Sequence, residues 1–300
     1  MHLTRTWTPP GAYDLPGSLA VLARGPYDPT FQVHAGSVWR TTRLRSGPAT
    51  LRLTPAASRV RAEAWGAGAQ EVLDGLPALL GEGDAPEEFV PRHRVVAESH
   101  RRHPGLRLTR TGRVLESLVP AILEQKITSI EAYRSWRHLV RKFGEPAPGP
   151  HPSLHVVPEP RTWVRIPSWE WHRANVDSKR SDAIVRAAGR SSRMEEAAAM
   201  ALPAALARLQ AIPGVGPWTA AEALQRSNGD PDAVTVGDLH LPRTVGYALT
   251  GERNTDDAGM LALLEPYRGQ RHRAARLLTL TGLHPPRRRP RRQPGDITRL

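Results

Sequence analysis

The sequence predicts a mostly α-helical protein that carries a small antiparallel α+β unit at its N-terminus. Between residues 37 and 66, short segments alternate apolar and polar residues and are separated by turn residues, which is typical of antiparallel strands. From about residue 104 onward, apolar residues recur at helical spacing. A turn rich in glycine and proline, IPGVGP at 212–217, lies between two of these helical segments. We therefore predict an α+β domain over 1–95, a helical domain over 96–283 and a basic disordered tail over 284–300.

The predicted N-terminal domain begins with an irregular lead-in over residues 1–12. The segment YDLPGSLAVLARG (13–25) is expected to form a short helix capped by Asp14 or Ser18. The strand pattern and the helical spacing that follow give predicted strands at 37–44, 49–54 and 59–66 and a helix over 69–84.

The helical domain begins with TGRVLESLVPAILEQKITS (111–129), in which Pro120 kinks a helix or marks the start of one. A second helix, 129–144, has Ser129 as its expected N-cap. The next segment, 145–160, contains six prolines and is predicted to be a loop. Further helices are expected around 181–190, 202–212, 219–229, 243–251 and 272–282.

The composition indicates a polyanion as a partner. The net charge is +13 and the pI is about 11.1, values that suit nucleic acid. Only three of the 42 basic residues are lysine, a preference that genome composition alone can produce. Cysteine is absent, which excludes disulfides, thiolate zinc sites and iron–sulfur clusters. No apolar run reaches the roughly 18 residues of a membrane span, and no signal sequence is apparent.

The glycine-rich turn has two interpretations. Gly214 and Gly216 let the backbone adopt positive φ and approach a partner closely, and the helix that follows presents free amides to a phosphate. The alternative is an ordinary tight turn between packed helices. Twenty residues past Trp218, Asp238 stands in VGDLHL, where it either caps the next helix or acts as a carboxylate beside the turn.

Together, LQAIPGVGPWTA and VGDLHL resemble the helix-hairpin-helix (HhH-GPD) DNA glycosylase superfamily. The similarity extends to YDLPGSLAVLARG and to HPGLRLTRTGRVLESLVPAILEQKITS (103–129), and is greatest for the bacterial 3-methyladenine DNA glycosylase II branch. The resemblance implies a helical core of two subdomains and base excision from double-stranded DNA by a monomeric, cytoplasmic, nucleoid-associated enzyme. No cofactor, iron–sulfur cluster or zinc is expected.

The resemblance also implies residue roles. Asp238 would stabilise the positive charge that develops on the sugar when the glycosidic bond breaks. Trp218 stands where bifunctional relatives carry a nucleophilic lysine, so no lyase activity is expected. The base pocket would include Trp218 and Gln125, and Trp169 and Trp171 of the segment 162–180, which departs from the family, are further candidates for its wall. Expected DNA contacts come from Gly214, Val215, Gly216, Thr219, Lys126, His240 and Arg243. A monovalent cation could bind the hairpin carbonyls of Gln210, Ile212 and Val215.

The sequence departs from the family pattern in three places. Lys126 follows Gln125 where relatives carry an apolar wedge, so either Lys126 fills the gap left by a flipped base or Ile127 or another loop does. The late segment AARLLTLTGL lacks an aromatic residue. The segment 162–180 carries three tryptophans, which either line the pocket or cover the core. A glycosylase for hypoxanthine or uracil and a non-catalytic DNA-binding protein therefore stay open as alternatives to alkylpurine excision.

Overall fold

The computed structural model describes residues 1–286 and 295. The N-terminal domain is built on one antiparallel sheet whose strands lie in the order β1–β5–β4–β3–β2. Its strands are β1 (His2–Trp7), β2 (Phe31–His34), β3 (Ser37–Leu44), β4 (Gly47–Ala56) and β5 (Arg59–Trp65). A separate two-stranded sheet is formed by β6 (Glu145–Pro146) and β7 (His155–Val156).

Apart from α1, which lies between β1 and β2, the helices follow the five-stranded sheet along the chain. The first group is α1 (Leu15–Leu19), α2 (Ala69–Asp74), α3 (Leu76–Leu79), α4 (Arg94–Arg102), α5 (Val114–Leu123), α6 (Ser129–Phe143), α7 (Pro160–Arg165) and α8 (Ser168–Arg173). The second group is α9 (Ser178–Ala188), α10 (Ser191–Glu195), α11 (Leu202–Gln210), α12 (Pro217–Ser227), α13 (Leu241–Thr250), α14 (Asp257–Leu264) and α15 (Arg271–Leu280).

Buried apolar side chains form three clusters. One lies between the sheet and the helices α1 to α3 and includes Leu19, Leu51 and Leu76. A second is centred on α5 and includes side chains of α6, α9, α11 and α12. A third joins α4, α13, α14 and α15 and also contains Phe89. The mostly helical fold with a small antiparallel sheet is therefore confirmed, whereas the domain boundary at residue 95 stays a prediction.

The N-terminal domain is fastened to the helices by buried polar contacts. The carboxylate of Asp28, which is fully buried, accepts hydrogen bonds from the backbone and hydroxyl of Thr30, from the Arg24 amide and from the Trp136 indole, at 2.7–3.1 Å. Burial raises the pKa of Asp28, and these four donors act in the opposite direction. On α5, Glu116 pairs with Arg40 and accepts the Thr42 hydroxyl at 2.7 Å.

Several sequence predictions needed correction. Residues 2–7 are not an irregular lead-in but strand β1, which pairs along its whole length with β5. The N-cap of α6 is Thr128 and not Ser129, because Thr128 and Glu131 form a reciprocal capping box. The loop 145–160 contains the short β6–β7 pair. Asp14 does cap α1, as expected, by accepting the Gly17 amide at 2.9 Å. The tail prediction falls almost entirely on residues outside those described.

Helix α5 is capped by a residue from another helix. Its own N-cap, Arg113, provides no side-chain hydrogen bond. Instead, the Glu195 carboxylate at the end of α10 accepts the amides of Val114 and Leu115 at 2.9 and 3.0 Å. We expect Glu195→Ala to lower the free energy of unfolding by about 1–2 kcal/mol, because two amides at the start of the central helix lose their acceptor. Urea denaturation measures this change.

The neighbouring Glu196 is a matched control. It lies on the surface and pairs only with Arg208 and not with α5. Glu196→Ala should change the free energy of unfolding by less than about 0.5 kcal/mol. Equal losses for the two variants would contradict the capping role of Glu195.

Candidate DNA-binding and catalytic site

The hairpin between α11 and α12 places its two glycines in different environments. Gly214 has a φ of 95°, and a Cβ added to it would lie 2.9 Å from the Cβ of Ala183 on α9. Both the backbone conformation and the packing therefore require glycine at this position. Gly216 has a φ of −94°, and a Cβ added there would meet nothing within 4 Å. Nothing inside the fold requires glycine at 216.

The start of α12 leaves a group of backbone amides without an acceptor among the described residues. The Val215 amide donates to the Ile212 carbonyl at 2.9 Å and closes the turn. In contrast, the amides of Gly216, Trp218 and Thr219 have no acceptor among the described residues. Pro217, at the first position of α12, has no amide hydrogen to satisfy. Free amides and the positive end of a helix dipole are the features that bind phosphate at helix N-termini, and DNA binding at this helix start stays a prediction.

Gln125 joins the turn after α5 to this hairpin. Its side-chain amide donates to the Gly214 carbonyl at 2.9 Å and to the Thr219 hydroxyl at 2.8 Å. The next residue, Lys126, is exposed and has a φ of 59°, in the left-handed region that non-glycine residues rarely adopt. Gln125 therefore fixes the turn that presents Lys126 relative to the hairpin. A contact between Gln125 and a base stays a prediction.

Asp238 is held from two sides. Its Oδ2 accepts the Trp218 indole N–H at 2.8 Å. Its Oδ1 accepts the amides of His240 and Leu241, at 2.7 and 2.8 Å, at the start of α13. Asp238 thus caps α13 and at the same time faces the hairpin side of the molecule. Asp238 can therefore both cap the helix and act as a carboxylate beside the hairpin, because the cap uses one oxygen and leaves a lone pair on the other.

The segment before Asp238 is held by contacts that the sequence patterns did not indicate. The amide of Gly237, whose φ is 88°, donates to both carboxylate oxygens of Asp257 at 3.0 Å. Further back, the Gln225 side chain donates to the Ala233 carbonyl at 2.7 Å. Asp257 is the first residue of α14, and no sequence spacing indicates that it contacts Gly237.

Some expected contacts are wrong. Trp171 is 4% exposed, donates its indole N–H to the Ile166 carbonyl and stacks on Trp163, so it belongs to the hydrophobic core and not to a base pocket. The side chains of Val215 and Thr219 are also buried, which leaves only their backbones for a DNA contact. Trp169, His240 and Arg243 are exposed, and their roles stay predictions.

A cation at the hairpin and the expected lack of other cofactors also stay predictions. Of the three carbonyls expected to bind the cation, that of Ile212 already accepts the Val215 amide and keeps one lone pair for a ligand. Within the described part of the chain, no helix combines the length and apolarity that a membrane span requires.

The chain has the fold of DNA glycosylases of known structure. It aligns over 92% of its length with 97% of a 3-methyladenine DNA glycosylase from Archaeoglobus fulgidus, with a TM-score of 0.75 and 19% identity. It also aligns over 90% with 91% of an 8-oxoguanine glycosylase/lyase from Clostridium acetobutylicum in complex with DNA, with a TM-score of 0.73 and 11% identity.

In sequence, the chain is similar to the Mycobacterium tuberculosis protein named probable bifunctional transcriptional activator/DNA repair enzyme AlkA. The two are 30% identical over 220 residues, which cover 70% of this chain and 44% of that relative. The chain therefore spans less than half the length of this curated relative. No family model matches the chain. The resemblance that the motifs predict is confirmed by the fold and by this similarity.

The two hairpin glycines give a direct test of the site. We expect Gly214→Ala to lower Tm, because alanine at a φ of 95° costs on the order of 1–3 kcal/mol and its Cβ would press on Ala183. Gly216→Ala should leave Tm unchanged but weaken DNA binding, since the added methyl stands in front of the free amides. Thermal melting and fluorescence anisotropy with a duplex measure the two effects. Unaltered DNA affinity in Gly216→Ala would show that the hairpin amides do not bind DNA.

Proposed function

We propose that this protein is a monofunctional DNA glycosylase of base excision repair that removes alkylated purines of the 3-methyladenine type. The observation that supports this proposal most strongly is the Asp238 carboxylate, fixed by the Trp218 indole and by the α13 amides beside an anion-binding hairpin. A protein that only binds DNA gains nothing from a carboxylate held close to phosphates. The names of relatives with the same fold include alkylation-repair glycosylases.

In the proposed reaction, the hairpin amides hold a backbone phosphate while the damaged nucleotide rotates out of the duplex. The bond between the base nitrogen and the sugar C1′ then breaks, and the base leaves with the bonding electrons. Positive charge develops on the sugar, and the free lone pair of Asp238 Oδ2 stabilises it. Water adds to C1′ and loses a proton, and the product is an abasic site.

Alkylated purines suit this mechanism because a base that is already cationic departs as a neutral molecule. Such a base needs little protonation before it leaves, so one carboxylate directed at the sugar is sufficient for catalysis. The surface charge is consistent with a polyanionic substrate, since the chain carries a net charge of +13. A monomer acting in the cytoplasm is part of the same proposal.

Asp238→Asn tests the catalytic role. We expect it to lower the single-turnover rate of excision by at least about 100-fold, because a neutral amide stabilises the sugar cation poorly. DNA affinity should persist or improve, since a negative charge near phosphates is removed. Quenched reactions on a duplex containing 7-methylguanine measure the rate, and anisotropy measures the affinity.

Asp256→Asn is the matched control for this substitution. Asp256 caps α14 by accepting the Gly259 amide at 2.8 Å, and asparagine can make the same cap. Its excision rate should equal that of the wild type. Near-wild-type excision by Asp238→Asn would end the catalytic assignment.

The same site supports the absence of lyase activity. Strand cleavage after base removal needs an amine that attacks C1′ and forms an imine. Trp218 provides none, and the Lys142 amine is bound to the Glu170 carboxylate at 2.6 Å. Lys126 and Lys179 are the remaining lysines.

We therefore expect damaged duplex to accumulate intact abasic strands, which break only after alkali. Borohydride should trap no covalent complex, as judged by denaturing electrophoresis. Lys126→Ala serves as the comparison, because an adduct that forms with the wild type and disappears in this variant would identify a lyase with Lys126 as its nucleophile.

A further inference from the structure

A group of buried charged side chains extends from the proposed catalytic residue into the molecule. Trp218, Glu222 and Arg226 occupy successive turns of one face of α12, because they are spaced by four residues. A spacing of four residues corresponds to a rise of about 6 Å, comparable with the length of a purine ring system. A base whose sugar lies at Asp238 and which points along α12 would therefore place its far edge level with Glu222.

Within this group, one ion pair is hydrogen-bonded in close geometry. The Arg226 guanidinium donates to Glu222 Oε2 at 2.7 Å, to the Glu222 carbonyl at 2.7 Å and to the Val21 carbonyl at 2.8 Å. Its hydrogen bonds are thus used inside the protein. This pair fixes the N-terminal domain to α12, and its hydrogen bonds offset the cost of burying the two charges.

The neighbouring pair is not satisfied. The side chain of Arg24 is 7% exposed, and its guanidinium makes no hydrogen bond to the described residues. Its single ion pair is a contact of 3.5 Å between NH1 and Glu124 Oε1. Glu124 Oε1 is itself buried and accepts no hydrogen bond. The described residues therefore leave most of the hydrogen-bonding capacity of these two groups unused.

The location of this pair connects it to the site. Glu124 immediately precedes Gln125, whose side chain contacts both the hairpin and Thr219. Arg24 is followed by Gly25, where an added Cβ would lie 2.7 Å from the ring of Tyr133 on α6. Arg24 and Glu124 also lie close enough to Arg226 to interact with it electrostatically, which places them beside α12 about two turns from Trp218.

We infer that Arg24 and Glu124 read the Watson–Crick edge of the flipped purine, with the guanidinium donating to an edge acceptor and the carboxylate accepting from an edge N–H. This inference rests on the proposed function and specifies its substrate class. A buried polar group without a partner is costly, and a base edge with adjacent donor and acceptor satisfies both residues together. Purines provide such an edge, and pyrimidines, being shorter, do not reach it.

The lesion must then leave that edge intact. Purines alkylated at N3 or N7 keep their edge donors and acceptors and are accepted. In 1,N6-ethenoadenine, a ring closes over N1 and N6 and removes the donors, so this lesion leaves Glu124 unpaired in the complex and is rejected.

Binding of non-hydrolysable duplexes tests the inference without requiring excision. The two probes carry 2′-fluorinated 7-methylguanosine and 2′-fluorinated 1,N6-ethenoadenosine, and a duplex with a tetrahydrofuran abasic analogue measures binding without a base. Wild-type protein should bind the 7-methylguanine duplex at least about tenfold more tightly than the ethenoadenine duplex. Glu124→Gln and Arg24→Lys should each reduce this preference by about tenfold or more and leave abasic binding unchanged.

Glu116→Gln is the matched control, because Glu116 lines the same cavity as Arg24 but its carboxylate is already bound by Arg40 and the Thr42 hydroxyl. It should keep the wild-type preference. An unchanged preference in Glu124→Gln and Arg24→Lys, or an equal loss in Glu116→Gln, would overturn the inference. If Glu124→Gln does not fold, Glu124→Asp, which keeps the charge but withdraws it from the edge, gives the same comparison.

The two proposals fail separately. If all these variants excise 7-methylguanine and keep the wild-type binding preference, the glycosylase function stands and the edge contact is contradicted. If the wild-type protein shows the expected binding preference but excises no lesion, only the glycosylase function is contradicted.

Discussion

The Asp238 carboxylate is the point on which the arrangement of the site depends. One oxygen binds two amides at the start of α13, and the other binds the indole of Trp218 on α12. The carboxylate therefore sets the position of two helices and of its own charge with the same three hydrogen bonds. A charge that is held by fixed dipoles does not reorganise during a reaction, which is the condition for strong electrostatic catalysis.

The hairpin and the carboxylate exert opposite effects on DNA. In the proposed complex, the unpaired amides of α12 attract phosphate and Asp238 repels it. These effects are compatible only if the phosphate and the reacting sugar occupy separate, fixed positions. Gln125 provides such a constraint, because its amide binds the hairpin carbonyl of Gly214 and the Thr219 hydroxyl and so fixes the turn after α5 relative to both. Rigid placement lets the negative charge act on the sugar without displacing the backbone.

Patterns local in sequence predicted most of this architecture. The alternation at 37–44 matches β3 residue for residue, and the glycines and Asp238 indicated the hairpin site. Strand β1 was missed because its mostly polar residues read as an irregular segment, and it forms a strand by pairing with β5, which is distant in sequence. Trp171 was assigned to a pocket because composition does not reveal which side of a short helix faces the core. The Asp257 contact with Gly237 depends on tertiary structure and leaves no spacing signal.

The charged cluster behind the site also lies beyond what local patterns reveal, since Arg24 and Glu124 are 100 residues apart in sequence. Burying two such groups costs several kcal/mol per ion, and excellent hydrogen bonding is needed to offset that cost. The Arg226–Glu222 pair meets this requirement within the protein, whereas the 3.5 Å contact of Arg24 with Glu124 does not. Apolar side chains of similar volume would stabilise the fold at least as well at these two positions. A bound partner that supplies the missing donor and acceptor accounts for charges there, and the edge of a flipped purine is such a partner.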